Sequence, residues 1–392
     1  MKQTRGFAVA LAVTTLLTGA PDVQARGTVA SGVEAEVTFT AGLNVRCGDT
    51  LTENTRLTHD LDCPGSAPFA LRLDGEGILL DLGGHTVRRT GPVNEDSQGI
   101  VVDNGRMVRN GTVQGFGRGI ITPWSSNTLN LRLHELALLD NDIAVYSQAD
   151  TNFLITQCRV SGNGQGLSSE FDASTGLFDV RSSTFTHNGT AMIADFHHID
   201  VLDSTFTSNG LVILCFGGSA RIRGSTLAWN EAVGRMQLDF GGPYTCNEMR
   251  FENSLLSNNA AFAPTLQPVW ETNRLAMINT LAVSNGTGLR TSALTVYLDG
   301  NTFYDNAGGL TLSDLQTAVP VPLTGIVRGN QFLSNDGDGL RVEPPSTPTV
   351  IHNVALGNTG FGIYAPTAFD GGGNVARNNT AGDCVGITCS MY

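Results

Sequence analysis

Eleven asparagines return through the chain at a nearly fixed interval: Asn141, Asn163, Asn188, Asn209, Asn230, Asn259, Asn285, Asn306, Asn335, Asn358 and Asn379, 21 to 29 residues apart. Phe116 takes the same place one turn earlier. Three residues before each Asn stands an apolar or small residue, among them Leu138, Phe185, Phe206, Leu227, Phe303 and Phe332. Eight before stands another, as at Ile155, Val180, Val201, Ile222, Phe251, Leu298 and Val327. Three columns in register with strands of three to five residues between Gly and Asn corners point to a solenoid, each coil adding one strand to several parallel sheets. A single coil cannot bury its own apolar side chains, whereas stacked coils line like residues into continuous inner columns. Asn suits such a corner because it tolerates left-handed backbone and its amide can bond to the Asn above and below. No segment holds a 3.6-residue period, so the expected fold is all-β.

Bulk properties narrow the function. Of 392 residues, 15% are charged and the formal net charge is −13, which removes the basic face that nucleic acid or an anionic membrane surface requires. The only lysine is Lys2, in a segment that reads as a secretory leader: a basic start (Lys2, Arg5), an apolar core from Phe7 to Leu17 and a small-residue cleavage site at Val23-Gln24-Ala25. Residues 1–25 are therefore expected to be removed, leaving arginine as the only permanent cation. No later run is apolar for long enough to span a bilayer as a helix, so export without membrane insertion follows.

Seven cysteines in an exported chain read as disulfides. Cys47 with Cys63 and Cys384 with Cys389 sit at the two ends of the repeat array as staples. Cys215 and Cys246 fall in neighbouring repeats and can pair, which leaves Cys158, where later repeats carry Ser183, Ser204 and Ser225, as a buried thiol. Residues 26–46, with Val33, Ala35, Val37 and Phe39 alternating against polar neighbours, read as a short N-terminal cap strand, and residues 47–392 as the solenoid.

The segments Cys47-Gly48 through Leu61-Asp62-Cys63, Leu80-Asp81-Leu82-Gly83-Gly84-His85-Thr86-Val87 and Arg109-Asn110-Gly111-Thr112-Val113 resemble the opening coils of secreted bacterial right-handed parallel β-helix repeat proteins of the pectate-lyase-like superfamily. The resemblance runs over about residues 47 to 389 and implies that fold. It leaves the activity open, because the superfamily contains lyases, hydrolases, epimerases, tailspikes and adhesins. The Trp-Ile-Asp-His of pectate lyases and the Asn-Thr-Asp, Asp-Asp, Gly-His-Gly set of polygalacturonases are absent. Arg221-Ile222-Arg223 resembles the Arg-Ile-Lys of the latter, and Asp195-Phe196-His197-His198 resembles the Asp-Pro-His-Asp/Glu of alginate epimerases without its proline.

Strand alternation locates the exposed chemistry. If the residue eight before each Asn points inward, its neighbours at minus nine and minus seven point outward. This exposes Asp179, Arg181, Asp200, Arg221, Arg223, Arg250 and Glu252 on four consecutive rungs, with His198 beside them. Longer repeats insert loops near residues 168–174, 236–248, 263–274 and 312–324, and insertions on one side of a solenoid commonly wall its binding face. These would bring Glu170, Asp172, Asp239, Tyr244, Trp270 and Glu271 toward the strip. A uronate-directed enzyme would clamp the substrate carboxylate with Arg221 or Arg250, use His198 as base, and hold a Ca²⁺ with Asp179 and Asp200. A glycosidase would use Asp179 and Asp200 as its carboxylate pair. Arg223, Glu170, Asp172, Tyr244 and Trp270 would then contact sugar. The opposing expectation is that the strip is an outer-face ladder of ion pairs on a structural or adhesive rod.

Overall fold

In a computed structural model the described residues are 38–42, 44–64, 68–91, 94–125, 128–170, 176–236, 246–263, 270–314 and 321–390. The proposed leader and residues 26–37 of the expected cap strand lie outside them. From Phe39 onward the chain is an all-β parallel solenoid of about 13 turns, with no helix among the described residues. No helix there is long and apolar enough to cross a membrane.

One coil shows the plan. His198–Leu202 lies on face 1 and pairs in parallel with Leu177–Arg181 below and Ser219–Arg223 above. Thr205–Thr207 lies on face 2 between Thr184–Thr186 and Thr226–Ala228. Leu211–Phe216 lies on face 3 between Thr190–Asp195 and Ala232–Met236. Along His198–Leu202 the side chains of Ile199 and Val201 are buried, while His198, Asp200 and Leu202 face out. The two apolar columns read from the sequence form the core: Val180, Val201, Ile222 and Phe251 on face 1, and Phe185, Phe206, Leu227 and Leu256 on face 2, are all fully buried. Rings stack from coil to coil, with Phe185 and Phe206 4.9 Å apart and Phe303 and Phe332 5.3 Å apart. At the first coils, Thr40–Gly42 pairs with Thr55–Leu57.

The repeating Asn does something different at its corner from what its backbone tolerance suggests. The left-handed residue is the one before it: Asp140, His187, Ser208, Trp229, Asn258, Ser284, Asp305, Ser334 and Asn378 all have φ between 54° and 60° or close below. The ladder Asn itself turns inward and is buried. Asn209 donates from its backbone N and from Nδ2 to Asn230 Oδ1, both at 3.0 Å, and from Nδ2 to the Phe185 carbonyl. Its own Oδ1 accepts the same two donors from Asn188. The ladder begins where Phe116 N donates to Asn141 Oδ1 and ends where Asn379 donates to Asp383. Each rung thus satisfies the corner carbonyls and amides that burial would otherwise orphan.

A second internal ladder lines the corner between faces 1 and 2. It passes from Ser183 through Ser204, Ser225 and Ser254, each backbone N donating to the next Oγ at 3.1–3.3 Å. From Thr280 it continues through Asn301, Asn330, Asn353 and Asn374. Cys158 is its first member: its N donates to Ser183 Oγ, and its thiol lies against the Leu133 and Thr156 carbonyls. Burial, the largest influence, pushes this thiol up to about 11. A thiol reagent at pH 8 should therefore find no reactive group in the folded chain and one after unfolding in urea without reductant. A reactive thiol in the native state would mean that this corner opens.

The other six cysteines pair as Cys47–Cys63, Cys215–Cys246 and Cys384–Cys389. Three disulfides fit an oxidising, extracytoplasmic setting.

Candidate functional site

The insertions all fall between a face-3 strand and the next face-1 strand. They follow Gln165–Ser169, Ala232–Met236, residues 261–263 and Leu310–Ser313. Each long loop therefore leads straight into face 1, where the charged strip lies. Asp172, Asp239 and Tyr244 lie outside the described residues, as do the side chains of Trp270 and Glu271, whose backbone opens the strand Trp270–Ile278. Glu170 turns to the face-3 side, where its Oε2 accepts from Gln148 Nε2 at 2.6 Å. Burial and then the Glu170 charge raise the pKa of Tyr146 there.

On face 1 the register sets Asp179 opposite Asp200, Asp200 opposite Arg221, and Arg221 opposite Arg250. All four point outward, as the alternation requires, because Val180, Val201, Ile222 and Phe251 between them point in. No carboxylate of the strip stands apart from an arginine. Arg181 holds both oxygens of Asp179, at 2.8 and 2.6 Å. Arg223 reaches back one rung to Asp200 at 2.9 Å. Arg221 Nη2 bonds Glu252 at 3.2 Å, and Arg250 bonds the same carboxylate. Glu248 lies 3.8 Å from Arg250 and 3.7 Å from Arg274. Burial favours the neutral form of Glu252, but Arg250 and Arg221 outweigh it and lower its pKa. Arg181 is raised by its bond to Asp179.

Three of the arginines are the outer layer of this network. Arg181 is 52% exposed over an Asp179 that is 20% exposed, and Arg221 45% over a Glu252 at 14%. Arg274, 50% exposed, stands over Glu248 at 34%. At these three positions the arginine is the outer partner, whereas Arg223 and Asp200 are about equally exposed and Arg250 lies deeper than Glu248. Among the described residues no group of three or more His, Cys, Asp or Glu could hold a metal ion, and Asp179 and Asp200 gather no third carboxylate or imidazole.

The two histidines part company. His197 is fully buried, stacked on Phe178 with centroids 5.3 Å apart, and its neighbour Asp195 is buried too, so only His198 of that tetrapeptide faces solvent. His198 Nδ1 lies 2.6 Å from Ser219 Oγ on the next rung. Ser219, Glu248 and Arg274 belong to a third outward column, eleven residues before the ladder Asn. The same alternation that exposes minus nine and minus seven exposes minus eleven, so the signal was present in the spacing. The exposed Trp229 sits at the corner between faces 2 and 3, away from the strip.

A family model described as a right handed beta helix region matches residues 197–392. No curated protein and no solved structure matches the chain.

Proposed function

The chain belongs to the right handed beta helix region family, and from that premise we propose that face 1 binds an acidic polysaccharide outside the cytoplasm. One observation carries the reading: within five successive face-1 strands every one but His198–Leu202 carries at least one arginine (Arg181, Arg221 with Arg223, Arg250 and Arg274), and three of the five are clearly more exposed than the carboxylates they cover. A guanidinium fork matches a sugar carboxylate bidentately, and rungs ~4.8 Å apart offer such forks in a row along an extended chain. In sequence, the long insertions immediately precede strands of this same face. With a net charge of −13, diffuse attraction to a polyanion is not available, so retention has to come from this local strip.

The test is retention on immobilised polyuronates and on a neutral glucan, at low and high salt. The intact chain should be held by a polyuronate and released by salt. Arg181→Ala/Arg221→Ala should weaken retention about 10- to 100-fold, since a hydrogen bond to a charged group contributes about 1.5–3 kcal/mol. Both side chains are half-exposed, so thermal stability should barely move.

The second reading, a non-catalytic structural or adhesive rod, is favoured by the complete pairing of the strip's described carboxylates. It predicts no glycan retention and an early-melting double variant. That outcome would reduce the strip to cross-strand ion pairs.

A further inference from the structure

We infer that Ser219 and His198 form a nucleophile and base pair that hydrolyses acyl esters carried by the glycan of face 1, an inference that rests on the binding reading for its natural substrate. The two residues open neighbouring strands, Ser219–Arg223 and His198–Leu202, and the register sets them directly opposite one another. Their Oγ to Nδ1 separation is 2.6 Å. With the ring proton on Nε2, Nδ1 accepts from the serine hydroxyl, which is the arrangement that activates a serine. The imidazole is exposed, and its Nε2 has no hydrogen-bond partner among the described residues.

A cation stands on the same strand as the serine. Arg221 lies two residues along the strand from Ser219 on the same outward side, about 7 Å away at the backbone, within reach of its long side chain. It engages Glu252 through Nη2 alone, on the side away from Ser219, so it meets an oxyanion there by swinging back along the strand from that one contact. The square of His198, Asp200, Ser219 and Arg221 thus sets nucleophile, base and anion-binding group side by side on two rungs.

The step balances. Ser219 Oγ bonds to the acyl carbon as its proton passes to His198 Nδ1. The carbonyl electrons return and the C–O bond to the sugar breaks, with the alkoxide taking the proton from His198 as it leaves as an alcohol. Water then attacks the acyl-serine, His198 takes its proton and returns it to Ser219 Oγ, and the carboxylic acid departs.

A comparison is built into the chain. His134 Nδ1 lies 2.8 Å from Thr156 Oγ1 on face 1, but that hydroxyl is secondary and hindered by its methyl group. The experiment is labelling of the full chain with a fluorophosphonate probe, followed by intact mass and peptide mapping, alongside hydrolysis of p-nitrophenyl acetate. One adduct is expected, on Ser219. Ser219→Ala should abolish it, and Ser219→Thr should slow it at least tenfold. His198→Gln should slow labelling and ester turnover about 100-fold or more. Unchanged melting of the Ser219 variants excludes unfolding as the cause. An unlabelled wild-type chain, an adduct elsewhere, or equal labelling of Ser219→Ala overturns the inference. Neither probe nor small ester needs a glycan, so failure here and failure of glycan retention are read separately.

Discussion

Asn209→Ala should destabilise the chain by about 4 kcal/mol, read as a lowered urea midpoint and as lost hydrogen-exchange protection centred on its own and adjacent coils. The substitution removes one side chain but orphans groups on two other residues. The Phe185 carbonyl loses its donor, and Asn188 loses the acceptor for both its backbone N and its Nδ2. All three lie in the buried corner, where an unmade hydrogen bond costs roughly 1–3 kcal/mol. A solenoid's stability is a sum of coil and neighbour terms, so the damage should stay local and the transition should broaden. Asn379→Ala provides the contrast. That residue makes the same contacts to the Asn358 amides and the Ala355 carbonyl, but it is half-buried at the end of the ladder, where water can satisfy the groups it leaves, so its loss should cost about 1 kcal/mol. If the two variants lose the same stability, the buried ladder is not what holds the corner.

That ladder also marks how far the sequence could be read. The columns three and eight residues before each Asn were legible because burial demands apolar chemistry at every turn, and Val180, Val201 and Ile222 or Phe185, Phe206 and Leu227 meet that demand alike. The left-handed corner positions were not, since Asp140, His187, Ser208 and Trp229 share no chemistry; the corner imposes the conformation on whatever stands there. The second ladder was legible only in its first members, Cys158, Ser183, Ser204 and Ser225, for a related reason. It changes from Ser254 to Thr280 to Asn301 as it climbs, keeping the hydrogen-bond pattern while the residue type drifts.

The candidate site was half legible. Alternation placed Asp179, Asp200, Arg221, Arg223 and Arg250 outward, and they lie outward. Which arginine meets which carboxylate was hidden, because Arg181 bonds within its own strand while Arg223 reaches back a rung, and side-chain rotamers decide that. Ser219, whose hydroxyl touches His198, lies in an outward column whose residue type drifts from His198 through Ser219 and Glu248 to Arg274. Loop residues such as Asp172 and Tyr244 have no periodic frame to fix them.

Replacing Cys215 and Cys246 together by Ala should cost about 3.5 kcal/mol and also abolish glycan retention, although neither residue is exposed. Cys215 is next to last in the face-3 strand Leu211–Phe216, and Cys246 opens the face-1 strand Cys246–Glu252, 31 residues later and directly after the insertion at 237–245. Without the bridge, that long connection can float in the unfolded ensemble, and closure entropy grows with the length bridged. Cys384→Ala/Cys389→Ala spans 5 residues at the end of the solenoid and should cost about 2 kcal/mol or less on the same scale. Urea midpoints of the two double variants make the comparison, and an equal or larger loss at Cys384–Cys389 would defeat it. The functional consequence follows from the strand that Cys246 begins. Glu248, Arg250 and Glu252 are its outward residues; Glu252 pairs with Arg221 below, Glu248 with Arg274 above, and Arg250 with both carboxylates within the strand. Fraying this one rung would release the guanidinium groups on both sides from their shared carboxylates. Retention of an acidic glycan should therefore be lost at urea concentrations that leave the remaining coils folded.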